Sequence, residues 1–186
     1  MQAIVVERGE STPSLIEIPK PEPDAGEVLI RTLRVGIDGT DREVVKGAHG
    51  GMPDDSTYMI LGHEAVGVVE KSNGTSFSRG DIVVPIVRRP GDHESEYYER
   101  DELDMAPPGE YIEEGIDGGH GYMTEYFTST PEFLVSLPTS LAQVGTFVEP
   151  ISVSRKAIEH AEATRAPFTW NPEVGLVLGN GSLGLV

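Results

Sequence analysis

The sequence predicts a mainly β domain to about residue 150, followed by a connecting helix and the first strand of an α/β unit. The 186 residues include 22 glycines and 14 prolines, a turn-rich composition that favours many short strands over long helices. From about Ser140 to Ala163 the spacing of apolar residues becomes helical. The apolar segment Val174–Leu178 then leads directly into a glycine-rich turn, as the first strand of an α/β unit does.

The β part is predicted from apolar and β-branched runs that alternate with polar residues or are bounded by turn residues. In chain order these strands are Ala3–Glu7, Ser14–Ile18, Glu27–Ile37, Glu64–Glu70, Asp81–Val87 and strand-like sequence over Thr124–Leu137. Thr40 and the three residues after it resemble a capping box, which predicts a short helix that ends near Gly47. Residues 88–122 are charged and rich in glycine, so we expect a long irregular loop of the kind that is often functional. Pro150 is expected to interrupt the helix that follows.

The charge and composition of the chain exclude several classes of partner. With 31 acidic and 14 basic residues the formal net charge is −17, whereas nucleic-acid binding needs clustered Lys and Arg. No apolar run is long enough to span a membrane, and the N-terminal apolar stretch is too short for a signal peptide, so we expect a cytoplasmic protein without a membrane partner. Because cysteine is absent, any metal must be held by His and carboxylate groups.

The glycines near residue 180 have the spacing Gly-x-Gly-x-x-Gly after a predicted strand, where a dinucleotide-binding fingerprint belongs. Such glycines allow a tight turn and bring a pyrophosphate close to backbone N–H groups at a helix N-terminus. A glycine-rich turn without a ligand is the simpler alternative. The candidate cofactor-binding residues are Gly179, Asn180, Gly181, Ser182, Leu183 and Gly184. The acidic ribose-binding residue would lie about 20 positions further on, so the choice between NAD and NADP stays open.

The strongest chemical signal is the pair His63-Glu64 at the start of a β-branched run, with Asp38 and Glu149 as further candidate ligands. Imidazole and carboxylate groups bind zinc, and three protein ligands with one open position form a catalytic site. Spacing alone does not establish that these groups converge. The alternatives are that His63 and Glu64 are structural or merely exposed, and that Asp38 and Thr40 are only turn and cap residues.

Three motifs resemble the zinc-dependent medium-chain alcohol dehydrogenase family. They are Gly62-His63-Glu64-x-x-Gly67, Gly80-Asp81-x-Val83-x-Pro85 and the glycine-rich segment at residues 118–126. The resemblance implies a GroES-like zinc and substrate domain over residues 1–150. Residues 151–186 would then hold the connecting helix and the first strand and turn of a truncated Rossmann domain. Most members have Cys where this chain has Asp38, and Asp in a cysteine-free acidic chain resembles the glucose 1-dehydrogenases of halophilic archaea.

The resemblance also implies roles for the residues of the site. Asp38 and His63 would bind one catalytic zinc directly, while Glu64 and Glu149 would bind it directly or through water and exchange as substrate enters. Thr40 and Glu64 are the catalytic candidates, and Thr40 would hydrogen-bond the reacting hydroxyl and pass its proton outward.

Substrate contacts are implied at Glu113, Thr40 and Glu149. Glu114 is one residue away from Glu113, so that assignment could slip, and Glu113 as one more solvated carboxylate is the simpler alternative. The second, structural zinc of the family is not expected, because residues 88–106, where its lobe would fall, contain no cysteine.

The implied reaction is oxidation of D-glucose, or a related aldose, at C1 to the lactone, with hydride transfer to NADP or NAD. One alternative is zinc-dependent oxidation of another polyol or alcohol. Another is a non-catalytic truncated module that serves oligomerisation or regulation. The resemblance further implies that these 186 residues are the N-terminal part of a homo-oligomeric enzyme and turn over poorly by themselves.

The acidic composition predicts adaptation to high salt, with a stability that depends on salt; the simpler alternative is an ordinary acidic protein with a solvated surface. Carboxylates are spread along the whole chain, and the lysines are limited to Lys20, Lys46, Lys71 and Lys156. Molar salt shortens the Debye length to about 3 Å and so screens the repulsion between these carboxylates. The denaturation midpoint should therefore rise with KCl concentration, and full stability in dilute buffer would contradict the prediction.

Overall fold

The computed structural model, which describes residues 1–91, 95–179 and 181–185, confirms the mainly β domain that the sequence predicts. The strands are β1 (Gln2–Glu7), β2 (Ser14–Glu17), β3 (Val28–Val35), β4 (Tyr58–Ile60), β5 (Ala65–Ser72), β6 (Ile82–Pro85), β7 (Arg88–Pro90), β8 (Tyr111–Glu114), β9 (Gly118–Gly119), β10 (Tyr126–Ser129) and β11 (Leu134–Leu137). The helices are α1 (Gly39–Val45), α2 (Glu96–Glu99), α3 (Val148–Arg165) and α4 (Ser182–Leu185). Short 3₁₀ turns lie at Leu103–Met105, Pro131–Phe133, Thr139–Leu141 and Gly145–Phe147.

A five-stranded antiparallel sheet with the order β10-β3-β5-β6-β11 forms the centre of the fold. β-branched and aliphatic side chains on its strands alternate between its faces, so one face can be fully buried. The main core cluster comprises Val28, Ile30, Ala65, Val69, Val83, Tyr122, Phe127 and Leu134. The register pairs Val35 at the end of β3 with Ala65 at the start of β5. The loop after β3 and the loop before β5 therefore meet at one edge of the sheet.

Two smaller sheets flank the central one, with the orders β2-β1-β4 and β7-β8-β9. The second of these lies within residues 88–122, so the prediction of an irregular loop there is wrong in part. β7 pairs with β8 in antiparallel register, with Arg88 opposite Glu113. Cross-strand pairs of opposite charge stabilise neighbouring strands, as apolar pairs do. Strands held by charged pairs show no alternation of apolar residues, so the sequence pattern does not reveal them.

Helix α3 begins at Val148, eight residues after the predicted start of the helical segment, and two 3₁₀ turns precede it. The prediction that Pro150 interrupts this helix is wrong. Pro150 lies in the first turn, where its missing N–H would have no partner within the helix, so the helix continues to Arg165. In the described part of the chain, the helices lack the combination of length and apolar composition that crossing a membrane requires.

Residues 174–178 form no strand in the structure, in contrast to the prediction. Their side chains are highly exposed, with Val174 at 86%, Leu176 at 80% and Leu178 at 88% of full exposure. A strand requires a hydrogen-bonded neighbour, and within the described residues none pairs with this segment. The apolar sequence fits a buried strand, but its local environment does not supply a sheet.

Candidate active site

The N-terminus of α1 fixes the position of Asp38. Asp38 is the N-cap residue, and its Oδ1 accepts hydrogen bonds from the backbone N–H groups of Thr40 at 2.7 Å and Asp41 at 3.3 Å. Asp41 completes a capping box because its Oδ2 accepts from the backbone N–H of Asp38 at 2.9 Å. The predicted capping box at Thr40 is therefore displaced by two residues. The cap and the candidate ligand are the same carboxylate.

His63 lies in the loop before β5 with 4% of its surface exposed, between the two carboxylates of this box. Its Nε2 is 4.0 Å from Asp38 Oδ1, and its Nδ1 is 3.6 Å from Asp41 Oδ1. Both His63 Nδ1 and Asp41 Oδ1 are buried without a hydrogen-bond partner. Buried polar atoms are rarely left unpaired, and a carboxylate facing one imidazole nitrogen commonly orients the other toward a metal.

Glu64 and Glu149 approach the same histidine. His63, Glu64 and Glu149 each offer one ligand atom, and these atoms lie within 4.8 Å of one another. Asp38, Asp41 and His63 form a second such group, so the two groups share His63. The structure thus brings all four predicted metal ligands to one location. Asp38 comes from the loop after β3, His63 and Glu64 come from the loop before β5, and the first turn of α3 supplies Glu149.

A glycine makes room for the Glu64 carboxylate. Glu64 is 8% exposed, and its backbone carbonyl accepts a hydrogen bond from the Gly36 N–H at 2.7 Å. A Cβ added to Gly36 would collide with Glu64 Oε2 and would lie 3.0 Å from Glu64 Cβ. The absence of a side chain at residue 36 therefore lets Glu64 reach the cluster.

The electrostatics of the cluster favour a bound cation. Burial lowers the pKa of His63, but Asp41, Glu149 and Asp38 outweigh this effect and the pKa is raised. Burial raises the pKa of Glu64 and of Glu149; nearby carboxylates add to the increase, while His63 opposes it. Carboxylates crowded around one imidazole repel one another, and a divalent ion bound by imidazole and carboxylate oxygens removes that repulsion. Three features fit a zinc ion: the imidazole and carboxylate donors, the unpaired buried atoms, and the room that Gly36 leaves for the Glu64 carboxylate.

A cavity of about 920 Å³ adjoins the cluster, and both Glu113 and Glu149 line it. Glu113 Oε1 accepts hydrogen bonds from Arg88 Nε at 3.0 Å and Nη2 at 2.7 Å. Glu114 does not line the cavity: it is largely buried and forms an ion pair with Arg89 Nε at 3.3 Å. Successive strand residues point to opposite faces, so the structure separates these two glutamates and places Glu113 on the cavity side.

The glycine-rich turn at the C-terminal end has part of the predicted geometry. Gly179 has a φ of 111°, a conformation that favours glycine. A Cβ on Gly184 would collide with the carbonyl oxygen of Gly179, so the first and last glycines of the motif are in close contact. A short helix, α4, begins at Ser182, and Leu183 is half exposed. Asn180 lies outside the described residues.

Two residues of the site were not found from the sequence. The sequence pattern indicates only a helix-cap role for Asp41, although its spacing from Asp38 is consistent with a shared location. The same kind of pattern predicts a loop at Arg88, and no local signal marks this residue as the partner of Glu113. That pairing depends on the register of β7 and β8, which connects residues 25 positions apart.

Two family matches cover most of the chain. Residues 24–139 match the alcohol dehydrogenase GroES-like domain. Residues 142–186 match the glucose dehydrogenase C-terminus family.

The curated relatives include glucose 1-dehydrogenases of halophilic archaea. The chain is 61% identical to glucose 1-dehydrogenase 1 of Haloterrigena turkmenica and 57% identical to glucose 1-dehydrogenase of Haloferax mediterranei. Each match covers 100% of this chain and 52% of the relative. The chain therefore spans about half the length of these relatives.

Solved structures agree with this similarity. Glucose dehydrogenase of Haloferax mediterranei in complex with NADP, Zn and gluconolactone matches with a TM-score of 0.96 and 57% identity, over 100% of this chain and 52% of that one. A D38C mutant of the same enzyme matches with a TM-score of 0.94, 57% identity and the same coverage. Galactitol-1-phosphate dehydrogenase from Escherichia coli shares the fold, with a TM-score of 0.74 at 22% identity over 87% of this chain and 45% of that one.

Substitution of Gly36 tests whether the room for Glu64 matters. Gly36→Ala should displace the Glu64 carboxylate, destabilise the protein by about 1–3 kcal/mol through overpacking and weaken zinc binding. The matched control is Gly39→Ala, because a Cβ there meets nothing within 4 Å. Urea denaturation and zinc titration of both variants provide the measurement, and equal behaviour of the two variants would contradict the prediction.

Proposed function

Because the chain belongs to the alcohol dehydrogenase family with a GroES-like domain, we propose that it supplies the zinc and substrate half of a glucose 1-dehydrogenase. The reaction is oxidation of D-glucose, or a related aldose, at C1 to the lactone, with hydride transfer to NADP or NAD. The observation that carries this proposal is the convergence of Asp38, Glu64 and Glu149 on His63 beside a cavity that Glu113 lines. The complex of the Haloferax mediterranei relative with NADP, Zn and gluconolactone supports the choice of metal, cofactor and product.

We propose a division of the chain into two parts. Residues 1–150 would be the GroES-like zinc and substrate domain. Residues 151–186 would be the connecting helix and the start of the dinucleotide-binding domain. The family matches, which meet between residues 139 and 142, support a boundary in this part of the chain.

In this proposal Asp38 and His63 bind zinc directly, and Glu64 and Glu149 bind it in turn, directly or through water. Bound zinc would act as a Lewis acid that favours the alkoxide form of the C1 hydroxyl. Asp41 is added to this set as the group that orients His63, since its Oδ1 lies 3.6 Å from His63 Nδ1. The helix cap holds the Asp38 carboxylate in place before any metal arrives.

Thr40 is the proposed route for the hydroxyl proton. Its Oγ1 donates a hydrogen bond to Asp38 Oδ2 at 3.1 Å, which places the threonine hydroxyl beside a candidate zinc ligand. A hydroxyl both accepts and donates, so Thr40 would accept the proton of the C1 hydroxyl at Oγ1 while its own proton passes to Asp38 Oδ2, the oxygen to which it already donates. A bound nicotinamide would supply the acceptor for the hydride of C1.

Glu113 and Glu149 are the proposed sugar-binding carboxylates. An ionised carboxylate offers several acceptor sites and can receive hydrogen bonds from two neighbouring hydroxyls. Glu113 Oε1 is occupied by Arg88, which leaves Oε2 for a sugar hydroxyl in the cavity. Arg88 also partly neutralises Glu113 and holds its orientation.

The turn at residues 179–184 is the proposed contact with the nucleotide. Its candidate residues are Gly179, Asn180, Gly181, Ser182, Leu183 and Gly184. Close approach of Gly184 to Gly179 supports a turn that brings backbone N–H groups toward a pyrophosphate. The same proposal expects a cytoplasmic homo-oligomer, and the exposed apolar side chains at residues 174–178 favour burial against another surface.

Turnover by the full-length protein that contains this chain tests the function. Zinc-loaded protein should reduce NADP or NAD with D-glucose, and His63→Ala should lose both zinc and activity because the cluster loses its central ligand. His49→Ala is the matched control, since His49 is exposed. The chain of 186 residues alone should bind zinc but turn over poorly, because its relatives are about twice as long.

The substrate panel separates the proposal from its alternatives. A clear preference for a polyol or simple alcohol over every aldose would support the other substrate class. Absence of turnover in the zinc-loaded full-length protein with either cofactor would contradict the enzymatic function.

Substitution of Asp38 tests the ligand assignment. Asp38→Cys should hold zinc more tightly, because a thiolate is a softer ligand than a carboxylate and suits zinc better. Asp38→Ala should hold zinc more weakly. Competition with a chelator measures both affinities, and no gain with cysteine would count against Asp38 as a direct ligand.

A further inference from the structure

We propose that Lys156 and Asp104 are positioning residues that hold Glu113 in place for the sugar, acting through Arg88. Their ion pair joins the 3₁₀ turn that contains Asp104 to helix α3, and both residues line the cavity. This inference rests on the proposed function, since it concerns a residue that would bind the aldose.

Arg88 divides its hydrogen-bond donors between Glu113 and the turn that contains Asp104. Arg88 Nε and Nη2 donate to Glu113 Oε1, at 3.0 and 2.7 Å, while Nη1 donates to the backbone carbonyl of Asp104 at 3.1 Å. The guanidinium also lies 4.1 Å from the centre of the Tyr111 ring. A planar guanidinium offers its donors in a fixed fork. Movement of the Asp104 backbone would therefore change the orientation of Arg88 and its hold on Glu113.

Asp104 is attached to helix α3 through its side chain. The Asp104 carboxylate pairs with Lys156 Nζ, and the hydrogen bond from Lys156 is the largest cause of the lowered pKa of Asp104. His160 Nε2 lies 3.9 Å from the same Asp104 oxygen. Asp104 is otherwise in a single 3₁₀ turn, Leu103–Met105, with no side-chain cap. Lys156 is thus the closest anchor that this turn has on the helix.

Lys156 lies on the side of helix α3 that lines the cavity. Glu149, Ser152, Val153 and Lys156 all line the cavity and form one stripe of the helix. Lys156 is about two turns, roughly 10 Å, from Glu149. The same helix therefore carries both Glu149 and Lys156, which pairs with Asp104 on the turn that binds Arg88. The ion pair keeps the two proposed sugar-binding carboxylates, Glu149 and Glu113, at a fixed separation.

The charges around the cavity explain why loss of Lys156 would matter. Glu99, Asp101 and Glu132 line the same cavity as Asp104. Without Lys156 the Asp104 carboxylate would lose the cation with which it pairs and keep the more distant imidazole of His160, so repulsion from these acidic groups would favour outward movement of the turn. The pair is also partly exposed, at 37% for Lys156 and 39% for Asp104. Exposed pairs contribute little to overall stability, so the effect should appear in sugar binding rather than in folding.

Steady-state kinetics of the full-length protein test the proposal. Lys156→Met should raise KM for D-glucose about threefold to tenfold, with kcat and the thermal midpoint nearly unchanged. Calorimetric titration with gluconolactone should show a similar loss of affinity. Lys156→Arg should restore both values, because it restores the charge. Measurements belong at the lowest salt at which every variant stays folded, since salt screens the pair.

The matched control is Arg155→Met on the same helix. Arg155 pairs with Glu159 at 2.7 Å, is 77% exposed and does not line the cavity, so its loss should leave KM unchanged. Asp104→Asn should reproduce the effect of Lys156→Met. The double variant should add nothing further, as a double-mutant cycle requires of two residues that act as one pair.

Two results would overturn this inference while leaving the proposed function intact. In the first, wild type oxidises D-glucose and Lys156→Met has the same KM as wild type. In the second, Lys156→Met loses thermal stability and kcat to the same extent, which indicates a structural role. Failure of wild type to oxidise any aldose would instead remove the proposed function, and this inference with it. The wild-type measurement and the ratio of variant to wild-type KM therefore distinguish the two failures.

Discussion

The contact between His63 and the capping box of α1 is the interaction on which the site depends. Asp38 caps the helix and Asp41 closes the box, so both carboxylates are fixed by the backbone N–H groups that every helix N-terminus must satisfy. His63 lies between them because the register of β3 and β5 brings their adjoining loops together. A requirement of local folding thereby aligns three candidate groups at the edge of the central sheet.

Basic side chains in the adjoining cavity offset part of the negative charge around that contact. A chain with a net charge of −17 can place few cations near its acidic site, and Arg88 and Lys156 both line the cavity in pairs with carboxylates. In the described part of the chain, the charged pairs of the cluster join His63 to Asp38 and Asp41, and the pKa shifts of His63, Glu64 and Glu149 have no Lys or Arg among their causes. Its raised carboxyl pKa values reflect burial first and mutual repulsion second. A bound metal ion is the charge that would balance this part of the site.

Local patterns in the sequence identified the features that depend on nearby residues. The strands of the central sheet follow from β-branched runs, and Asp38, His63, Glu64 and Glu149 were proposed from their chemistry and the resemblance to a family. The position of the helix cap was missed because Thr40 and Asp38 are both good cap residues, and the backbone conformation decides between them. The pairing of Arg88 with Glu113 depends on strand register, which local composition does not encode.

The proposed dual role of Asp38, as helix cap and metal ligand, would keep a cysteine-free site ordered. A carboxylate has two oxygens, so one can accept the backbone hydrogen bonds of the helix N-terminus while the group keeps acceptor capacity for another partner. A thiolate has a single, weakly accepting sulfur atom and cannot serve both purposes equally well. Compared with a thiolate, aspartate is therefore a harder proposed ligand, but it holds the first turn of the helix in place. The geometry favours a site whose shape is set by the protein, with the metal ion bound into a framework that the capping box already holds.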